Sequence, residues 1–184
     1  MNLAIFCDAT AVSGRSDLLA RAKTALIELL RGEGALLARF AYLIEAFNTP
    51  GVGRLSSIMA AVGVGSDEID VKKAGTFPIV HGMRTLALDK GILVHTTADR
   101  VEALVEAGSL EPAFGRELVS ALRVFMEFRL RSQLQAIRRG TTEGESVVRL
   151  KEITTADRDI LRDSLRIVRQ FREIIRSRYH LGAF

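Results

Sequence analysis

PAFGRELVSALRVFMEFRLRSQLQAIRR, residues 112–139, keeps one helical period and holds no proline or glycine beyond its first turn. Pro112 is harmless there, because the opening N–H groups of a helix have no partner within it. Leu118, Leu122 and Phe125 form one apolar row, and Met126, Leu130 and Ile137 form an adjacent one. The pattern predicts a long helix with a wide buried face. Gln133 and Arg129 interrupt that face, so either they point into a shared cavity or the rows drift towards solvent at their ends.

Working outward, the same period returns at 155–179, with Leu161, Leu165, Val168, Phe171 and Ile175 inward and arginines outside. GTTEGES at 140–146 reads as the loop between the two. Upstream, Thr96 or Thr97 caps a short helix to 107 that Gly108 closes, and Thr76 caps a helix over 77–90 that Gly91 ends. Ser16 and Asp17 open a helix to 31. Gly32 and Gly34 interrupt it, and a further helix covers 35–47. NTPGVGR at 48–54 is a break. Within 54–74, VGVGSDE reads as a turn joining two short strands into a small hairpin, although LSSIMAAV reads equally as a helical turn. MNLAIFCD, residues 1–8, favours a short N-terminal strand, which needs a partner. Several long amphipathic helices with short connections predict a mainly α fold, an antiparallel helical bundle.

At 184 residues, 48% hydrophobic and 26% charged, the chain has the balance of a soluble globular protein with one core. From Pro112 onward, fifteen Arg and Lys stand against nine Asp and Glu, a bias that permits phosphate-bearing partners without requiring them. Cys7 is the only cysteine, which excludes an internal disulfide and a cysteine-based zinc site and reads as a small buried thiol. His81, His95 and His180 lie far apart in sequence, so a metal site is not expected. No apolar run has the length of a membrane span, and a cytoplasmic location is expected. No phosphate-binding glycine loop, nucleophile elbow or zinc-protease motif is read. Asp67, Glu68 and Asp70 fall on a turn, as a cation site or a solvated loop. Aromatic content of 6% and the lack of a recognition motif place nucleic acid last among partners.

IDVKKAGTFPIVHGMRTLAL, residues 69–88, carries the densest polar chemistry. On a helix from Phe77, the residues Pro78, His81, Thr85 and Leu88 share one stripe with Arg84 on its flank. Lys72 and Lys73 precede that helix start, whose free N–H groups and positive dipole end favour an anion. Two readings stay open: a site for a phosphate or carboxylate, or a hydrogen-bonded His81, an Arg84 paired with an aspartate and two solvated lysines.

Four blocks, IDVKKAGTFPIVHGMRTLALDKGI, TTADRVEALVEAGSL, FRLRSQLQAIRRG and LKEITTADRDILRDSLRIVRQF, resemble consecutive parts of the nucleotidyltransferase substrate-binding domain family. LAIFCDATAVSG resembles the segment that leads out of the catalytic domain in such bacterial signal-transduction proteins, and in the uridylyl-transferring enzyme of nitrogen regulation. Asp8 matches the aspartate of that segment, while Thr10 stands where arginine is usual. The resemblance implies an exit segment of an upstream catalytic domain over 1–14 and a helical substrate-binding domain over 15–184. It implies a substrate-binding and regulatory role without catalysis, since the Gly-Ser and D-x-D motifs of the catalytic half are not read here. By the same resemblance, Lys72, Lys73, His81 and Arg84 contact the anion or acceptor, with Arg100, Arg131 and Gln133 behind them. No cofactor is implied in this chain; Mg²⁺ with a nucleoside triphosphate belongs to the catalytic domain, a partner in cis or trans. The acceptor is a nucleotide or a protein, and a homodimer is open. The rival reading is an interaction or dimerisation module with no small-molecule site, which predicts exposed apolar patches.

Overall fold

A computed structural model describes residues 2–31, 33–45, 68–141 and 146–181. Among the described residues, seven helices run in order: α1 Asn2–Asp8, α2 Ser16–Arg31, α3 Gly34–Tyr42, α4 Phe77–Asp89, α5 Thr97–Glu106, α6 Pro112–Arg138 and α7 Thr155–Arg178. Two strands, β1 Glu68–Asp70 and β2 Val147–Arg149, pair antiparallel with Ile69 opposite Val148. The described residues are 77% helical, the mainly α fold that the periodicity predicts.

Polar residues set the helix starts. The Glu111 carboxylate accepts from the N–H groups of Ala113 and Phe114 ahead of α6. Thr96 accepts from the Asp99 N–H and Thr154 from the Asp157 N–H, which caps α5 and α7. Gly108 takes φ +64, the left-handed turn that releases the chain after α5.

The core is built around α4, whose Pro78, Ile79, His81, Gly82, Met83, Thr85, Leu86, Ala87 and Leu88 are all buried. A helix apolar nearly all round must be surrounded, and α2, α3, α5 and α7 pack against it. Helices α6 and α7 run antiparallel beside it: Phe114 near the start of α6 meets Phe171 near the end of α7, and Arg131 further along α6 reaches Asp157 at the start of α7. Leu161, Leu165, Val168, Phe171 and Ile175 of α7 are buried as their spacing predicts.

Five expectations are revised. Residues 2–8 form a helix, not a strand: a lone strand would leave its backbone unpaired, whereas a helix satisfies it internally and still buries Cys7. The helix of α4 effectively begins earlier than Phe77, because Lys72–Thr76 forms a π-helical turn that runs straight into it. Thr76 therefore has helical dihedrals and caps nothing. The start is held instead by the Asp70 carboxylate, which accepts from the N–H groups of Lys72 and Lys73, each at 3.1 Å. Of the hairpin expected over 54–74, residues 54–67 lie outside the described residues; Glu68–Asp70 is a strand, but its partner is β2, beyond three helices. The helix expected over 35–47 ends at Tyr42 with a 3₁₀ turn at Leu43–Glu45, and 46–47 lie outside the described residues. The row Met126, Leu130 and Ile137 is exposed rather than inward-facing, since Phe125, Phe128, Ser132 and Ala136 already fill the side of α6 that meets the core. No helix among the described residues is long and apolar enough to cross a membrane.

Candidate functional site

Among the described residues, a group of buried and nearly buried cations gathers at the end of α1. Arg84 of α4 donates from Nε to Asp8 Oδ1 at 3.2 Å and from Nη2 to Oδ2, a two-point grip on one carboxylate. Arg100 of α5 donates from Nη2 to the same Oδ1 at 2.5 Å and from Nε to the Val94 carbonyl at 3.1 Å. Lys23 of α2 is buried and donates from Nζ to the Cys7 carbonyl at 2.9 Å. Two guanidiniums thus hold one carboxylate, a local excess of one positive charge, while Lys23 binds the neighbouring backbone carbonyl.

Exposure decides which group meets solvent. The side chains of Arg84 and Arg100 are 11% and 3% exposed, whereas that of Asp8 is 38% exposed. The guanidinium pair is fixed by the bundle and its counter-ion sits at the water-facing side. Burial alone would raise the Asp8 carboxyl, but the hydrogen bonds and charges of Arg84 and Arg100 outweigh it and hold the group below the usual carboxylate range.

His81 lies one turn before Arg84 and is 2% exposed. Its Nε2 lies 2.7 Å from the Phe40 carbonyl, so that nitrogen carries the proton and donates. Burial pushes its pKa down, against the pull of the Phe40 carbonyl, and the charge of Arg84 adds to the fall. Its ring stacks on Phe77 with centroids 5.2 Å apart, so it orders the core beneath the arginines. Burial has the opposite effect on the Cys7 thiol, pushing its pKa up, so it stays protonated. This arrangement can bind a carboxylate or phosphate; its buried histidine and thiol are not placed to attack one.

Other residues singled out from the sequence fall elsewhere. Lys72 and Lys73 are exposed; Lys73 pairs with Asp70 at 3.3 Å, and no described contact joins either to Arg84 or Arg100. Arg131 pairs with Glu127 and Asp157 and lies over the Phe128 ring. It lines a cleft of about 140 Å³ between α6 and β2, beside one of about 190 Å³, with Ser132, Gln135, Arg149 and Glu152. Arg139 and Arg149 there are also paired, with Glu152 and Glu68, so the cleft holds no excess of positive charge. Gln133 and Arg129 are half-buried. Asp157 and Asp159 do have D-x-D spacing, which the sequence reading passed over. They stand in the first two turns of α7, where positions two apart point to different sides, and Asp159 pairs with Arg162 at 2.6 Å. Glu68 and Asp70 belong to β1 rather than a turn.

Lys23 was missed from the sequence. The signal was present: it occupies the same stripe of α2 as the buried Ile27 and Leu30.

The family described as "Putative nucleotidyltransferase substrate binding domain" matches residues 34–179. The chain belongs to this family. The match takes in α3 to α7, and with them Arg84 and Arg100, while Asp8 and Lys23 precede it. No curated protein matches the chain, and no solved structure does. In this nucleotidyltransferase substrate-binding domain, the two guanidinium groups come from within the family's span and the carboxylate they hold comes from outside it.

Proposed function

We propose that this chain is the recognition part of a nucleotidyltransferase-like signal-transduction protein. It binds an anionic group of the acceptor or nucleotide through Arg84 and Arg100 and leaves transfer to a catalytic domain. The observation that carries this reading is the buried guanidinium pair converging on a single, water-facing carboxylate. Two fixed arginines with a charge excess suit a phosphate oxygen pair as well as a carboxylate. In this reading Asp8 occupies the position of a substrate anion, and α1 belongs to the segment that joins the catalytic domain, in cis or in trans. Mg²⁺ with a nucleoside triphosphate enters through that catalytic domain.

The test is calorimetric titration of the purified chain with ATP, UTP and cyclic nucleotides, repeated on Asp8→Asn and on Arg84→Gln with Arg100→Gln. Saturable binding that strengthens in Asp8→Asn and disappears in the double variant, with the helical circular dichroism unchanged, is the expected result. Absence of binding by both the parent chain and Asp8→Asn would remove the site. The interaction-module reading is favoured by one separate observation, the exposed apolar row on α6, and it does not compete for Arg84 or Arg100.

A further inference from the structure

We propose that the C-terminal half of α6 is the face through which two copies of this chain pair, antiparallel, about a two-fold axis beside Gln133. Met126, Leu130, Leu134 and Ile137 are 57%, 55%, 47% and 73% exposed, a run of large apolar side chains over three turns. At about 100° per residue they occupy one sector, roughly 80° wide, of the helix. The inward side is taken by Phe125, Phe128, Ser132 and Ala136, so the bundle's own core does not use this row. Exposed apolar side chains contiguous over several turns mark an association surface more often than isolated ones do.

The identity of the occupant follows from the order of residues along the row. A two-fold axis perpendicular to α6, midway between Leu130 and Leu134, sets Leu130 against the partner's Leu134 and brings Met126 to within one residue, about 1.5 Å along the helix, of the partner's Ile137. The same operation brings Glu127 to within one residue of the partner's Arg138, and Arg138 equally close to the partner's Glu127, an offset that these long side chains span. Both flank the apolar row on the same edge, which is how flanking charges meet when two helices pair antiparallel. Glu127 is exposed and reaches Arg131 within its own helix at 2.5 Å. Arg138, also exposed, has no ion-pair partner among the described residues. Gln133 on the opposite edge lies next to the axis, where its amide can donate to and accept from its symmetry mate. An apolar row that is self-matching to within one residue, and flanked by opposite charges at nearly equal distances from the axis, fits a second copy of itself.

Sedimentation of the purified chain over a concentration series reads the association directly, as a shift from 20.2 kDa towards twice that mass. Leu130→Glu and Leu134→Glu are expected to give monomers with unchanged helical circular dichroism. Glu127→Arg is expected to weaken pairing at least tenfold, and adding Arg138→Glu to restore it. Gln133→Cys is expected to oxidise to a linked dimer, because Cys7, the only native cysteine, is buried. The exposed charge pair and the cysteine variant decide the matter even if a leucine variant folds poorly. A monomer at every concentration, a dimer indifferent to these substitutions, or a catalytic domain captured on this face by a chain that stays monomeric would each overturn the proposal.

Discussion

Asp8 and His81 shape the acid side of the stability curve, with different windows. Asp8 has its carboxyl lowered on folding, so its contribution is fully present above the unfolded value of about 3.9 and is lost as pH falls through the folded one. Replacing it with Asn at neutral pH leaves two buried guanidiniums short of their anion. The expected cost is about 1–2 kcal/mol, less than the ~3–5 of a fully buried pair because Asp8 is partly open to water. Urea unfolding should show that difference closing below about pH 4. His81 is also lowered, but as a base: below about 6.5 the unfolded chain takes up a proton that the folded one refuses, so stability falls there and levels off below the folded value. His81→Gln keeps a donor for the Phe40 carbonyl and cannot titrate. It should therefore abolish the loss of stability between pH 7.5 and 5.5 that the parent shows, a slope of at most about 1.4 kcal/mol per pH unit. Sequence alone marked His81 and Arg84 as polar groups within an apolar run, and Arg100 entered only through the family resemblance. It did not supply their partner, because Asp8 lies 76 residues from Arg84 and 92 from Arg100, and nothing local records such a pairing.

Among the elements, the junction from the π-helical turn into α4 is the least tolerant of change. A Cβ on Gly75 would lie 2.4 Å from the root of the Phe125 ring, which cannot retreat without moving α6. A Cβ on Gly82 would lie 2.4 Å from the outer edge of the Phe171 ring, which has more room to tilt. Gly75→Ala should therefore cost more than Gly82→Ala. Both fall in the ~1–3 kcal/mol range of an overfilled core, and thermal melts should show the order. The long helices were legible because α6 and α7 repeat their apolar period over six or more turns; the capping groups Glu111 and Thr154 emerge only in the structure. The start of α4 was not. Thr76 followed by Phe77 and Pro78 has the letters of a cap, but Asp70 had already claimed the role one turn upstream. Nor did periodicity say which of two adjacent apolar rows on α6 would be buried, since that depends on where α7 and the π-helical turn lie.

The whole molecule resolves into a bundle whose class followed from the pattern of its helices, and whose family follows from the match over 34–179. What the pattern could not give was the joining of distant segments: α1 to α4 and α5 through Asp8, and β1 to β2. With Arg84 and Arg100 placed for holding rather than reacting, the isolated chain is expected to transfer no nucleotide with Mg²⁺ or Mn²⁺. Radiolabel transfer from ATP or UTP checks this, and metal-dependent turnover that persists through repurification would contradict it. The β1–β2 ladder also sets an order in time. It joins residues up to 81 apart through strands of three residues each, too short to persist alone. Closing so wide a ring is favourable only once α4, α5 and α6 have already drawn its ends together, so the ladder forms late. Its amides, including that of Val71 on the Ser146 carbonyl, should then exchange with deuterium sooner than those in the middle of α4. The clasp that closes last is expected to come open before the helices that it ties together.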